Sequence, residues 1–338
     1  NVNADKGHVY FLSMKVEQQD QFKELAEKFT KKTGIQVDIA TASSDTYEQS
    51  LKSELAKSEA PTLFDVDNND FLNWTDYYAD MSGTNIYKDQ ENPDYALKDG
   101  DTVGAVPYVM ERYGIIYNKK VFEAAGITTL PKTPDEFLDD LQKIKDYDPS
   151  IDPLYTNYAA GWTMTAWDAY TSGGATGDPD WMNITMPQTK DPFQKGILGA
   201  DDMGPYAVYY ILYEAVKRGL TEADPTTTDW EGSKPRINNG QIGAMVLGSW
   251  AIVQMQAAGD HADDIGYMPF PITVKGTQYA SAGADYCYGV NKNTTDDKKL
   301  AAMLYIKWLT ESSNFAYDQG GVPVLKSLHK GMPTAFYD

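Results

Sequence analysis

Residues 240–259 read GQIGAMVLGSWAIVQMQAAG. An apolar run from Ile242 to Leu247 is interrupted by Gly248-Ser249, and Trp250 then opens a second apolar stretch that ends at Ala257-Ala258-Gly259. The first run is short and β-branched and the second is closed by glycine, which predicts a buried strand, a tight turn and a helix. Trp250 then stands at the mouth of a strand-to-helix turn. In open α/β sheets ligands collect outside the carboxyl ends of strands, so this turn is the first candidate for a binding site.

The same alternation recurs towards the N-terminus. Val9 to Met14 reads as a strand, followed by a helix with Phe22, Leu25, Ala26 and Phe29 at i, i+3, i+4 and i+7 and a stop at Gly34. Ile35, Val37 and Ile39 alternate with polar residues as a second strand. This β-α-β opening places Lys15, Glu17 and Gln18 at the carboxyl end of the first strand. A second helix carries Tyr47, Leu51 and Leu55, and Thr62 to Val66 forms a third strand that runs into Asp67-Asn68-Asn69-Asp70. Asp67 is read here as a ligand residue and Asn69 and Asp70 as caps of the helix carrying Phe71, Trp74 and Tyr78. Trp74, at helical spacing with Phe71 and Tyr78, is read as core.

Pro107 interrupts the stretch from Thr102 to Val109 and marks a place for the chain to cross between lobes. Thr133-Pro134-Asp135-Glu136 is a capping box with proline at the first helical position, ahead of Phe137, Leu138, Leu141 and Ile144. Periodicity fades between Asp148 and Gly204, a segment holding Trp162, Trp167, Tyr170 and Trp181. Long irregular stretches are often functional, although Met164 to Tyr170 also reads as one helix with core aromatics. Beyond Gly259, further crossings are expected at 261–264 and 311–314, with a strand at 285–290 that brings Asp285 and Tyr286 into play. The lobes are thus expected at 1–109 with 262–311, and at 110–261 with 312–338.

At 338 residues the chain exceeds one ordinary hydrophobic core, which is why two lobes are expected. The formal charge, 29 minus 49, is -20. Such a balance repels phosphates, so neither nucleic acid nor anionic lipid is expected as a partner, and the acidity reads first as solubility. Cys287 is the only cysteine, and His8, His261 and His329 are scattered. No intrachain disulfide can form, and neither a metal site nor Ser-His or Cys-His catalysis is expected. No cofactor is expected either, there being no Walker or dinucleotide pattern. No stretch approaches the ~20 apolar residues that span a bilayer, so a soluble chain is expected; separately, it is expected to be a monomer. The opening NVNADKG, without Met, reads as a linker after a removed segment.

With these residues placed, the chain resembles the extracellular solute-binding proteins of carbohydrate ABC importers, the group that includes maltodextrin-binding proteins. The matching pieces are FKELAEKFTKKTGIQV, PTLFDVDN, VPYVMERYGIIYNKKVFEAAG with LPKTPDEF, GQIGAMVLGSWAIVQMQAAG, YGVNKN before LAAMLYIKWL, and GGVPVLKS. Each is weak alone, and their order is specific. The resemblance implies a periplasmic-binding-protein-like fold of two α/β lobes joined by hinge crossings, closing on sugar. It implies a carbohydrate ligand, ABC permease subunits as partners, and an extracellular location, as a Gram-positive lipoprotein or in a periplasm. It points to Trp250 as a stacking platform, Glu111 as a carboxylate ligand, Asp67 and Asn68 in the turn after the third strand, and Lys15 and Glu17 after the first. Trp162, Asp285 and Tyr286 complete the expected set. Relatives continue for tens of residues past the GGVPVLKS turn, whereas this chain stops at Asp338, so either the second lobe is compact or the chain is incomplete.

An oligosaccharide receptor, with α-glucosides as the ligand the family implies, is the first reading. A glycoside hydrolase is the second, since carboxylates and aromatics also line catalytic clefts. A peptide or polyamine receptor on the same architecture is the third, because Asp67, Glu111 and Asp285 could hold an amine.

Overall fold

The computed structural model describes residues 2–68, 70–199 and 202–331. Two compact units divide the chain: Asn1–Met110 with Gly283–Asp338, and Glu111–Ala282. Asn69, assigned above as a cap, lies outside the described residues.

Among the described residues eleven strands form two sheets: β1 (His8–Ser13), β2 (Gln36–Thr41), β3 (Leu63–Val66), β4 (Leu97–Asp99), β5 (Thr102–Pro107), β6 (Met110–Asn118), β7 (Asp152–Leu154), β8 (Ile242–Gly248), β9 (Ile265–Met268), β10 (Ala282–Ala284) and β11 (Cys287–Val290). In the first unit the order is β2-β1-β3-β11-β5-β4. β1 pairs parallel with β2 and β3, as the β-α-β opening requires, while β11 runs antiparallel between β3 and β5. The helix Gln19–Thr33 buries Phe22, Leu25, Ala26 and Phe29 and ends at Gly34, whose φ of 79° is the left-handed cap that glycine adopts without strain. Phe11 of β1 meets Phe22 edge-on at 5.1 Å, and Tyr108 stacks on Tyr288 at 4.0 Å. The helix Asp296–Ser312 closes this core with Ala301, Ala302, Tyr305, Ile306 and Leu309.

Trp74 is core, as its spacing predicts, but its segment folds as the 3-10 turn Phe71–Tyr77. Asp70 stands at the cap position without capping. Its carboxylate instead accepts from the Trp74 indole N–H at 2.6 Å and from the Asn73 amide, so that both of its oxygens are taken by side chains.

In the second unit the order is β10-β6-β8-β7, with β9 also pairing with β6. β8 is buried along its whole length, so it reads as an uninterrupted apolar run. The helix Pro134–Tyr147 starts as the capping box predicts, with Thr133 Oγ1 accepting from the Glu136 N–H at 3.2 Å. The return bond goes one residue further back, to the Lys132 N–H at 2.7 Å. Trp167 and Tyr170 are buried core, Tyr170 stacking on Phe270 at 4.1 Å, and so much of the aperiodic segment is ordinary packing.

The sequence reading draws its lobe boundaries at different places from this division. Residues 265–268 go with the second unit, because β9 pairs antiparallel with β6 from Ile115 to Asn118. Val322 and Leu325 go with the first unit, where they bridge Met110 and Gln90. Both pairings are long-range, and neither leaves a local pattern in the chain.

Candidate functional site

Strand polarity gathers one group of candidates in the first unit. β1, β3 and β5 end at the edge where β11 begins, since Cys287 stands opposite both Val66 and Pro107. Lys15, Glu17, Asp67, Asn68, Asp285 and Tyr286 therefore share one end of the sheet. Lys15 Nζ lies 2.5 Å from Asp285 Oδ2, with both side chains mostly buried. Gln319 Nε2 donates to the same Asp285 oxygen at 3.1 Å. Asn68 Nδ2 donates to the backbone oxygens of Asp285 and Ala284 at 3.0 and 3.3 Å, and its Oδ1 accepts from the Cys287 thiol at 3.4 Å. The Asn68 amide thus holds the start of β11. Glu17 and Asp67 are exposed, and Tyr286 is half-buried.

The second unit builds a different surface around the turn after β8. Tyr113 stands opposite Gly248 in the β6–β8 ladder, which brings Glu111 and Arg112 beside Ser249. Ser249 Oγ donates to Glu111 Oε2 at 2.6 Å and accepts from the Arg112 N–H at 3.2 Å. Glu111 is only 5% exposed, so its carboxylate is held rigidly in a nearly dry setting, where charge-assisted hydrogen bonds are strongest. Trp250 follows at the first position of the helix Trp250–Gln256. A Cβ on Gly248 would collide with the Trp250 indole, so the missing side chain is what lets the ring fold back over the turn.

Trp250 does not stand alone. Trp162 lies 5.4 Å from it between ring centroids, at 58°, and Trp230 lies 5.6 Å away at 67°. Trp162 and Trp230 meet edge-on at 5.1 Å and 86°. The three indoles are half-buried and rest on a floor that includes Tyr155, Leu247, Ala251 and Met255. Lys234 Nζ stands 4.9 Å from the Trp230 ring, so that face is engaged by a cation. Sequence reasoning brings Trp162 and Trp250 forward and misses Trp230, which opens the helix Trp230–Asn238 in a stretch that reads as a polar approach. The signal available is a large aromatic following Asp229 at a helix start.

Aromatic rings and a fixed carboxylate set side by side suit a ligand that carries both apolar faces and hydroxyl groups. A half-buried ring offers apolar area to the C–H face of a pyranose, at ~25 cal/mol per Å2 removed from water. A fixed carboxylate beside it accepts from hydroxyls at the rim. Among the described residues no three His, Cys, Asp or Glu side chains gather at metal-binding spacing. No helix of the described residues is long and apolar enough to cross a membrane.

The family model described as bacterial extracellular solute-binding protein matches residues 15–314. A binding protein of an ABC transporter from Bifidobacterium animalis subsp. lactis, solved with mannobiose, is 42% identical with a TM-score of 0.85; the match covers 97% of this chain and 78% of that one. A manno-oligosaccharide specific solute binding protein from the same organism, solved with mannotriose, is 38% identical with a TM-score of 0.87, over 99% of this chain and 79% of that one. The diacetylchitobiose binding protein DasA of Streptomyces coelicolor is 30% identical over 142 residues, 39% of this chain. The matches to curated relatives span about a third of those proteins, 32% and 37% of their lengths. The fold is that of these solute-binding proteins, two α/β units each built on its own sheet.

Proposed function

The chain belongs to the bacterial extracellular solute-binding protein family, and on that premise we propose that it is a non-catalytic receptor that delivers a manno-oligosaccharide to an ABC importer. The observation that carries the reading is the three-tryptophan surface at the β8 turn beside the hydrogen-bonded Glu111–Ser249 pair. It combines apolar platforms with a fixed acceptor. Trp250 and Trp162 serve as platforms, Glu111 accepts from ligand hydroxyls, and Trp230 props the other two rings.

The ligand class moves from the α-glucosides that the resemblance implied to manno-oligosaccharides. The reason is that the solved relatives at 42% and 38% identity hold mannobiose and mannotriose. Lys15, Glu17, Asp67, Asn68, Asp285 and Tyr286 form a second candidate group for hydroxyl recognition, with Lys15 and Asp285 the pair best fixed for it. Placement outside the cell, lipid anchoring to a Gram-positive membrane and a monomeric state belong to the same proposal.

Titration calorimetry with mannobiose, mannotriose and maltotriose tests it, followed by chromatography of the recovered sugar. Saturable heat with the mannosides and intact sugar at the end are expected. Shorter sugars in the recovered sample overturn the receptor reading in favour of a glycosidase.

A further inference from the structure

β3 carries a carboxylate where an apolar side chain would be ordinary. Asp65 lies between Phe64 and Val66 in a strand buried at every position, and it is fully buried itself. Its Oδ2 accepts from Ser13 Oγ at 2.7 Å and from the Met14 N–H at 2.9 Å, while its Oδ1 has no hydrogen-bond partner. Ser13 Oγ in turn accepts from the Lys15 N–H at 3.1 Å. One carboxylate therefore ties three successive residues of the turn after β1 to β3. Placing an ion there carries a desolvation cost that an apolar residue would avoid. Lys15, the last residue of that turn, is the one that pairs with Asp285.

The geometry points to Asp65 as a positioning residue for ligand recognition: ionised, it latches the Ser13–Lys15 turn and so places Lys15 and Asp285; protonated, it releases the turn. The inference rests on reading this sheet edge as ligand-binding. Burial is the largest influence on Asp65 and pushes it up to about 7, against the hydrogen bonds from Ser13 and Met14 and the attraction of Lys15, with Asp285 repelling it. The other groups facing it are Tyr47 from the helix Tyr47–Leu55, Tyr108 beyond β5, and Cys287 and Tyr288 of β11. All four are pushed well above their ordinary values by burial, away from neutrality. A change from pH 8 to pH 6 therefore exchanges a charged acceptor of two hydrogen bonds for a neutral acid with a proton to place.

The experiment uses the full chain and Asp65→Asn, which keeps the shape and cannot ionise, with Val66→Ala as a neighbouring core truncation that cannot titrate. Two quantities are followed between pH 6 and 8: hydrogen-exchange protection factors of the Met14 and Lys15 amides without ligand, and the Kd for mannotriose. In the wild type both protection and affinity are expected to fall towards pH 6, affinity by about tenfold, as for one proton linked to binding. In Asp65→Asn both should be flat with pH and close to the wild-type values at pH 6. Val66→Ala should lower stability and keep the wild-type slope. Protection that is equal in wild type and Asp65→Asn and unchanged with pH overturns the latch, whatever mannotriose does. Protection that changes while mannotriose affinity stays constant overturns the link to the ligand. Protection that changes in a protein that never binds mannotriose upholds the latch and instead overturns the sugar proposed above.

Discussion

Ser249 Oγ donates to Glu111 Oε2 at 2.6 Å, joining the start of β6 to the turn that presents Trp250. The bond is partly buried, and it fixes an acceptor beside the aromatic surface before any ligand arrives. Such preorganisation spares the ligand the cost of ordering the side chain. Glu111→Gln keeps the shape and an acceptor for Ser249 but removes the charge. Affinity for mannotriose is expected to fall about 10- to 100-fold, the ~1.5–3 kcal/mol of a hydrogen bond to a charged group. Calorimetry measures it; an unchanged Kd removes Glu111 from the site.

The aromatic assignment separates platform from support. Trp250→Ala should abolish most mannotriose binding while far-ultraviolet circular dichroism stays native, since the ring is half-buried and opens a helix without filling a core. Trp230→Ala removes a prop, and Lys234 engages its ring, so a smaller loss of about tenfold is expected. Equal losses at the two positions would place Trp230 in direct contact with sugar.

Gly248 has a stated reason to lack a side chain, namely the Trp250 indole folded over it. Gly248→Ala should turn the ring away from the turn. The near-ultraviolet dichroism should change and mannotriose affinity drop, with a stability cost of about 1–3 kcal/mol from overpacking. Retained affinity together with an unchanged tryptophan signal would show that the ring is not held there.

Asp65 also sets a pH dependence of stability, with a sign opposite to that of an ion-paired carboxylate. Its folded value, about 7, lies above the ~3.9 of an unfolded Asp. Between those values the folded chain binds the extra proton, so the contribution is full below pH ~4 and is lost as pH rises towards 7. The whole effect is at most a few kcal/mol, since each tenfold change in proton affinity corresponds to ~1.36 kcal/mol. The difference in thermal midpoint between wild type and Asp65→Asn should therefore move in favour of Asp65→Asn from pH 4 to pH 8. Parallel pH profiles would contradict the burial of an ionisable Asp65.

What is legible in the chain is local. The stretch 240–259 forms the strand Ile242–Gly248 and the helix Trp250–Gln256 where its apolar runs place them, because both elements bury the residues that announce them. The Thr133 box and the Gly34 stop are equally local, one a side-chain cap and the other a left-handed backbone position. What is not legible depends on distant partners. Trp230 joins Trp162 from 68 positions away, and no periodicity encodes that meeting. Asp65 is inconspicuous in an apolar run, since its meaning lies in Ser13 and Met14 across the strand pair. The run Ile265–Met268 falls to the other lobe on a local reading, because its pairing with β6 leaves no mark in either segment.

A receptor of the proposed kind binds manno-oligosaccharide and leaves it intact. Titrating mannotriose into the protein in a calorimeter, then recovering and chromatographing the sugar, tests both halves at once. Saturable one-to-one binding, weaker or absent heat with maltotriose, and recovered mannotriose of unchanged length are expected. Mannobiose and mannose in the recovered sample, or saturable heat with maltotriose and none with mannotriose, would contradict it.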